Sequence, residues 1–232
     1  MSDWRRVTLT LFRIYRPIAL WFWGMVAVGI AIASYVINHN AGPQTISLWL
    51  VVAGFGAKYW LGVVGVLLIS LQLKSFVANG ITRRAFLTGG AVFGLLGAVG
   101  FALMAPIGHA VEDGLLSLFV DLPAQYPAIS VSGALTEFGQ TLPADLAFLV
   151  AGATVTAGFY RFGGLGGLLV MIPALLPVGV VEGLFNFDGG GVMTTRFLPY
   201  AAALAVSLAA TALGALLLRE QVRQVAIRRT AG

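Results

Sequence analysis

Cysteine is missing from this 232-residue chain, and histidine occurs only twice. Without cysteine there is no disulfide framework, no thiolate metal site and no cysteine nucleophile. Charge is also scarce: Asp, Glu, Lys and Arg make up 10% of the residues and hydrophobic types 59%, whereas soluble domains carry about a quarter charged residues. That balance excludes a water-soluble fold and any sizeable separate soluble domain. Catalytic and metal-binding patterns are wanting too. His-Glu-x-x-His is absent, and Ser132 lies in an outer segment rather than on a strand-to-helix elbow. His39 and His109 are expected in outer connections, away from membrane depth. The glycine cluster between Phe162 and Leu168 lacks the lysine and hydroxyl of a phosphate loop. The reading is therefore a chain with no catalytic, cofactor-binding or metal residues of its own.

What the sequence does have is long apolar runs. They fall at Ile18 to Ile37, Trp49 to Leu73, Ala85 to Ile107, Pro143 to Tyr160, Gly163 to Val181 and Leu198 to Leu218. A hydrocarbon core about 30 Å thick takes roughly 20 residues per helix, so an all-α membrane protein of about six spans is expected. Arg161 and the glycine cluster separate spans four and five, as a tight turn or as a broken helix. Residues 108–142 form the longest outer segment, expected to hold one or two short surface helices.

Basic residues orient the chain. Of the fourteen, only Lys58 and Arg196 escape one side of a six-span arrangement. The others precede span one (Arg5, Arg6, Arg13, Arg16), join spans two and three (Lys74, Arg83, Arg84), join four and five (Arg161), or follow span six (Arg219, Arg223, Arg228, Arg229). By the positive-inside rule that side is cytoplasmic and both termini are inside. Most acids, including Glu112, Asp113, Asp121, Glu137 and Asp188, fall outside. The net charge of +5 is accounted for by orientation and calls for no nucleic acid partner.

Residues 1–17 read as a cytoplasmic interfacial amphipathic helix. At about 100° per residue, Arg5, Arg6, Arg13 and Arg16 share about a quarter of its circumference, with Trp4, Val7, Leu11, Ile14 and Tyr15 opposite. It would lie on the bilayer, with Pro17 marking a bend into span one. Residues 18–218 are then the transmembrane domain and 219–232 a basic cytoplasmic tail.

Inside the spans, Lys58 either snorkels outward with Tyr59 and Trp60 in the aromatic belt, or faces a polar cavity and pairs with Asp145 or Glu182. Pro173 and Pro177, four apart, are expected to bend span five and free carbonyls, so they join Lys58, Asp145 and Glu182 as candidate pathway or gating residues. Small residues recur every fourth position at Gly90, Gly94, Ala98 and Ala102, and at Ala203, Ser207, Thr211 and Ala215. Such stripes allow close helix approach, within the bundle or between protomers. In the cytoplasmic connection Lys74 to Arg84, Asn79-Gly80 offers a left-handed helix stop and Thr82 a cap for the next helix.

The stretch Leu73-Lys-Ser-Phe-Val-Ala-Asn-Gly-Ile-Thr-Arg-Arg-Ala-Phe86 resembles the first cytoplasmic loop of permease subunits of type-two-class ABC exporters, in which Gly-x-Ser/Thr-Arg joins spans two and three. The organisation is similar along nearly the whole chain. The resemblance implies a bacterial inner-membrane protein whose loop around Asn79, Gly80, Thr82, Arg83 and Arg84 carries a coupling helix for a separate nucleotide-binding ATPase subunit. ATP and Mg would be bound by that partner, and a second permease chain would complete the pathway as a homo- or heterodimer. In several relatives the notable outer excursion lies between spans five and six, whereas here the larger one lies between three and four. The alternative expectation is an ATP-independent secondary carrier or a small polytopic membrane scaffold.

Overall fold

The computed structural model describes residues 2–187 and 193–224; Asp188, Arg228, Arg229 and most of the basic tail lie outside the described residues. The chain runs α1 (Asp3–Asn40), α2 (Leu48–Leu67), a π-helical turn (Leu68–Gln72), α3 (Leu73–Ala78), α4 (Arg83–Leu116), α5 (Val131–Leu184), the strands β1 (Phe185–Phe187) and β2 (Met193–Thr195), and α6 (Tyr200–Gln224). Among the described residues, five helical stretches are long and apolar enough to cross a membrane. In a bilayer only structures that satisfy their own backbone hydrogen bonds can span, which is why runs of this composition resolve as helices.

The longest stretch is not one rod. Gly163 sits at φ 73° and ψ −163° inside α5, a conformation that interrupts the helix and costs a residue without a Cβ nothing sterically. In a straight helix Asp145 and Glu182 would be about 55 Å apart at 1.5 Å per residue, yet Lys58 bonds Glu182 and its charge also reaches Asp145. The helix therefore reverses at Gly163 into two arms, 131–162 and 164–184. Gly158 faces Val170 and Gly167 faces Phe159 across the turn, and Ala144 and Ala147 of the first arm share a cluster with Val181 of the second. Of the two sequence alternatives for this join, a tight turn is the one the chain adopts.

Helix contacts rest on small residues. A Cβ on Gly65 would lie 2.1 Å from the Leu149 carbonyl oxygen, and one on Gly152 would lie 2.1 Å from the Gly62 carbonyl oxygen. Backbone of α2 thus meets backbone of the first arm of α5, the close approach that supplies packing energy where lipid removes the hydrophobic drive. Most of the two small-residue stripes is spent inside the bundle: Ala98, Ala102, Ala203 and Ser207 are buried, and Gly94 meets Leu149. Gly90 faces open space.

Three sequence expectations need correction. No separate surface helix precedes span one, because α1 is continuous through Pro17. Val7, Leu11 and Tyr15 are buried in the main cluster with Phe86 and Phe93 of α4, and the Thr8 hydroxyl donates to the Gly89 carbonyl at 3.0 Å. That packing keeps the helix continuous across a proline, which removes only one backbone donor. Residues 108–142 do not form short separate helices, since α4 continues to Leu116 and α5 begins at Val131 behind a Ser130 cap, leaving residues 117–130 as the connection. Last, no coupling helix separates spans two and three; residues 79–82 are a turn between α3 and α4.

Candidate functional site

Lys58 is the centre of the first site. It stands on α2 with 2% of its surface exposed, and its ammonium donates to Glu182 Oε1 at 2.6 Å. The rings of Phe55, Phe148 and Tyr59 surround it, with centroids 5.0, 5.5 and 5.6 Å from Nζ. Aromatic faces attract a cation and replace part of its lost hydration. Asp145 on the first arm of α5 is fully buried and lies within electrostatic reach of Lys58. Neither of its carboxyl oxygens has a hydrogen-bond partner among the described residues. Glu182 on the second arm is 44% exposed. Lys58 is thus buried and paired with Glu182, the pairing that one of the two alternatives open in the sequence contained. One ammonium lies within electrostatic reach of two carboxyl groups, one exposed and one sealed. That arrangement can exchange a partner or hand on a proton or cation, because a buried charge must keep a counter-charge.

The prolines have different places. Pro177 is buried against Gly214 of α6 and Pro173 is exposed. Both remain within helical backbone, since Gly163 is the one non-helical residue inside α5. They do not line the Lys58 site directly, but Pro177 and Glu182 share the second arm.

The inner elbow is the second site. Asn79 ends α3, its side chain donating to the Ser75 carbonyl at 2.8 Å. Gly80 has φ 82°, the left-handed stop expected there. Thr82 Oγ1 accepts from the Ala85 amide at 3.2 Å as the cap of α4. Arg83 donates to the Arg223 carbonyl at 3.0 Å and so ties the elbow to the end of α6, while Arg84 is exposed. Just above, the π turn Leu68–Gln72 widens the helix, and the Tyr160 hydroxyl donates to the Ser70 carbonyl at 3.3 Å. Single π turns recur at functional points of helices. Arg5, Arg6, Arg13 and Arg16 are all exposed on one side of α1.

Sequence reasoning missed a third polar cluster, at the opposite end. Glu112 of α4 accepts from the Ser47 hydroxyl, from the Leu48 amide at 3.1 Å, from the Trp49 amide at 3.2 Å and from the Tyr126 hydroxyl at 3.2 Å. Its carboxylate caps the amino end of α2, where unpaired amides and the helix dipole favour an anion. Burial, and after it the charge of Glu112, push the Tyr126 phenol above its usual range. His109, expected in a loop, is buried within α4 instead. Its Nδ1 meets Glu137 Oε1 at 2.8 Å and its Nε2 meets the Pro127 carbonyl at 3.0 Å. The available signal was the three-residue spacing of His109 and Glu112, which puts both on one helical face.

No family model matches the chain, and neither a curated protein nor a solved structure matches it. Among the described residues no cluster of three or more His, Cys, Asp or Glu is placed to hold a metal ion.

Proposed function

We propose that the chain is the membrane-spanning subunit of an ATP-driven exporter in a bacterial inner membrane, crossing six times with both ends in the cytoplasm. Five apolar helical stretches, one folded back at Gly163, supply the six crossings. Two such chains, identical or related, enclose the pathway, and a separate ATPase subunit binds ATP and Mg. The observation that carries this reading is the elbow: a basic turn stopped by Gly80, capped by Thr82 and tied to α6 through Arg83. Such a turn moves as one body with the ends of three helices. A push there travels along α3, through the π turn at Leu68–Gln72 and along α2 to Lys58 and its carboxyl partners. The helix ends themselves, without an added coupling helix, form the docking face.

Copurification tests it. The wild-type chain, isolated from its native membrane in mild detergent, is expected to bring down an ATPase, and a Gly80→Ala/Arg83→Glu variant that still folds, melting a few degrees lower, to lose it. A stable wild-type complex without any ATPase overturns the proposal.

A second reading, an ATP-independent carrier, is favoured by one observation, the sealed and unpartnered Asp145 facing Lys58. It predicts uptake or release in sealed vesicles driven by a pH gradient alone and abolished by Asp145→Asn. ATP-dependent transport without that gradient argues for the exporter.

A further inference from the structure

A groove of about 990 Å³ opens between α4, the first arm of α5 and α6, at the elbow end of the bundle. Its volume is at the top of the range of small-molecule sites, roughly 300–1,000 Å³. Leu87, Ala91 and Leu95 form one wall, Ala212, Ala215 and Leu216 the other, and Leu149 with Ala153 the floor. Three arginines stand at its mouth, Arg84, Arg219 and Arg223, and among the described residues no acidic one lines it.

We infer that this groove binds one anionic phospholipid of the cytoplasmic leaflet, its phosphate at the arginines and an acyl chain along the small-residue walls. Charge decides the headgroup. Arg223 is shared with Glu220 at 3.1 Å, but no carboxylate pairs with Arg84 or Arg219 among the described residues. Two exposed guanidiniums thus flank an apolar slot with their donors unspent. A planar guanidinium matches phosphate oxygens two at a time. Length fits as well. From Arg223 to Leu208 the α6 wall rises about 22 Å, and from Arg84 to Leu95 the α4 wall rises about 16 Å, at 1.5 Å per residue; one leaflet's hydrocarbon is about 15 Å deep, half of the 30 Å core.

A second copy of this chain fits less well. A two-fold contact centred on the groove would bring Arg84, Arg219 and Arg223 of each protomer against the same three residues, with Glu220 as the nearby acid. The inference requires only that the basic end face the cytoplasmic leaflet, so it stands apart from the question of which energy source drives transport.

The test is native mass spectrometry of the full chain in mild detergent, mixed with dioleoyl phosphatidylglycerol or dioleoyl phosphatidylcholine at equal concentration. Wild type is expected to retain one phosphatidylglycerol at least tenfold better than phosphatidylcholine. Arg84→Gln/Arg219→Gln is expected to weaken that retention about 30-fold, from roughly fivefold per arginine near an anionic surface. Arg84→Lys/Arg219→Lys, which keeps the charge and loses the two-point geometry, should fall between wild type and the glutamine variant. Ala212→Trp, which fills the slot from an exposed position, should release the lipid with the arginines intact. Equal retention of the two lipids by wild type overturns the inference, and so does phosphatidylglycerol binding untouched by both the glutamine and the tryptophan variants. A dimer that Ala212→Trp splits while lipid retention persists assigns the groove to a second copy instead.

Discussion

Removing both carboxyl groups that face Lys58 should cost much more than the sum of removing each. Lys58 is 2% exposed, so its ammonium cannot return to water and must keep a counter-charge. Glu182→Gln takes away the partner at 2.6 Å but leaves Asp145 in reach, and Glu182 is 44% exposed, so part of its attraction is already screened. A cost of about 1–2 kcal/mol is expected for this change, discounted from the cost of breaking a buried pair. Asp145→Asn leaves the Glu182 bond intact and should cost about 1 kcal/mol or less. With both changes the ammonium is alone among three aromatic rings, and the loss should reach about 3–5 kcal/mol, the range for an uncompensated buried charge. The coupling is then about 1–3 kcal/mol, well above the scatter of independent sites. Adding Lys58→Met to the double variant removes the orphaned charge at similar volume and should restore most of the loss. Thermal unfolding in detergent, followed by tryptophan fluorescence, reads this as a drop of roughly 2–4 °C per kcal/mol for a chain of this size. Additive single effects, or a Lys58→Met triple variant no more stable than the double, would refute the shared counter-charge.

Other predictions concern packing and caps. Gly65→Ala and Gly152→Ala should each cost about 2–3 kcal/mol, because the new methyl meets backbone at 2.1 Å and one helix must retreat; Gly90→Ala, which meets nothing within 4 Å, should leave the melting temperature unchanged. Glu112→Ala should cost about 3 kcal/mol by stranding the amides of Leu48 and Trp49 and the hydroxyls of Ser47 and Tyr126. Ser47→Ala, which removes only the α2 cap and one donor, should cost about 1 kcal/mol in the same melting assay. Gly80→Ala should cost about 1–2 kcal/mol, since φ 82° is strained for a residue with a Cβ. Its mark should be faster amide exchange confined to the elbow.

Local chemistry was legible in the sequence, and meetings between distant segments were not. Gly80 and Thr82 could be assigned because a left-handed stop and a threonine cap act within four residues, and the apolar runs because the bilayer imposes their length. The reversal at Gly163 was half legible: a glycine cluster permits a turn or a break, and contacts between the arms, Gly158 with Val170 and the shared approach of Asp145 and Glu182 to Lys58, distinguish them. Pro17 misled because a proline's cost is local while the packing that overrides it, Val7 and Leu11 in a cluster with Phe86 and Phe93, comes from the fourth helix. The Glu112 cluster draws on Ser47, Glu112 and Tyr126, from three separate segments. Their joint burial turned residues that look like loop polarity into the continuation of two helices.

The six crossings and the docking face depend on which compartment each turn faces. Because the chain has no cysteine, single cysteines can be introduced without background, at the exposed positions Gly80→Cys, Gly164→Cys and Asp121→Cys. In intact cells treated with a membrane-impermeant maleimide, Asp121→Cys should react, and Gly80→Cys and Gly164→Cys should react only after permeabilisation. Labelling of Gly164→Cys from outside, or of Gly80→Cys and Gly164→Cys from opposite faces, would contradict the six-crossing arrangement and remove the cytoplasmic docking face with it.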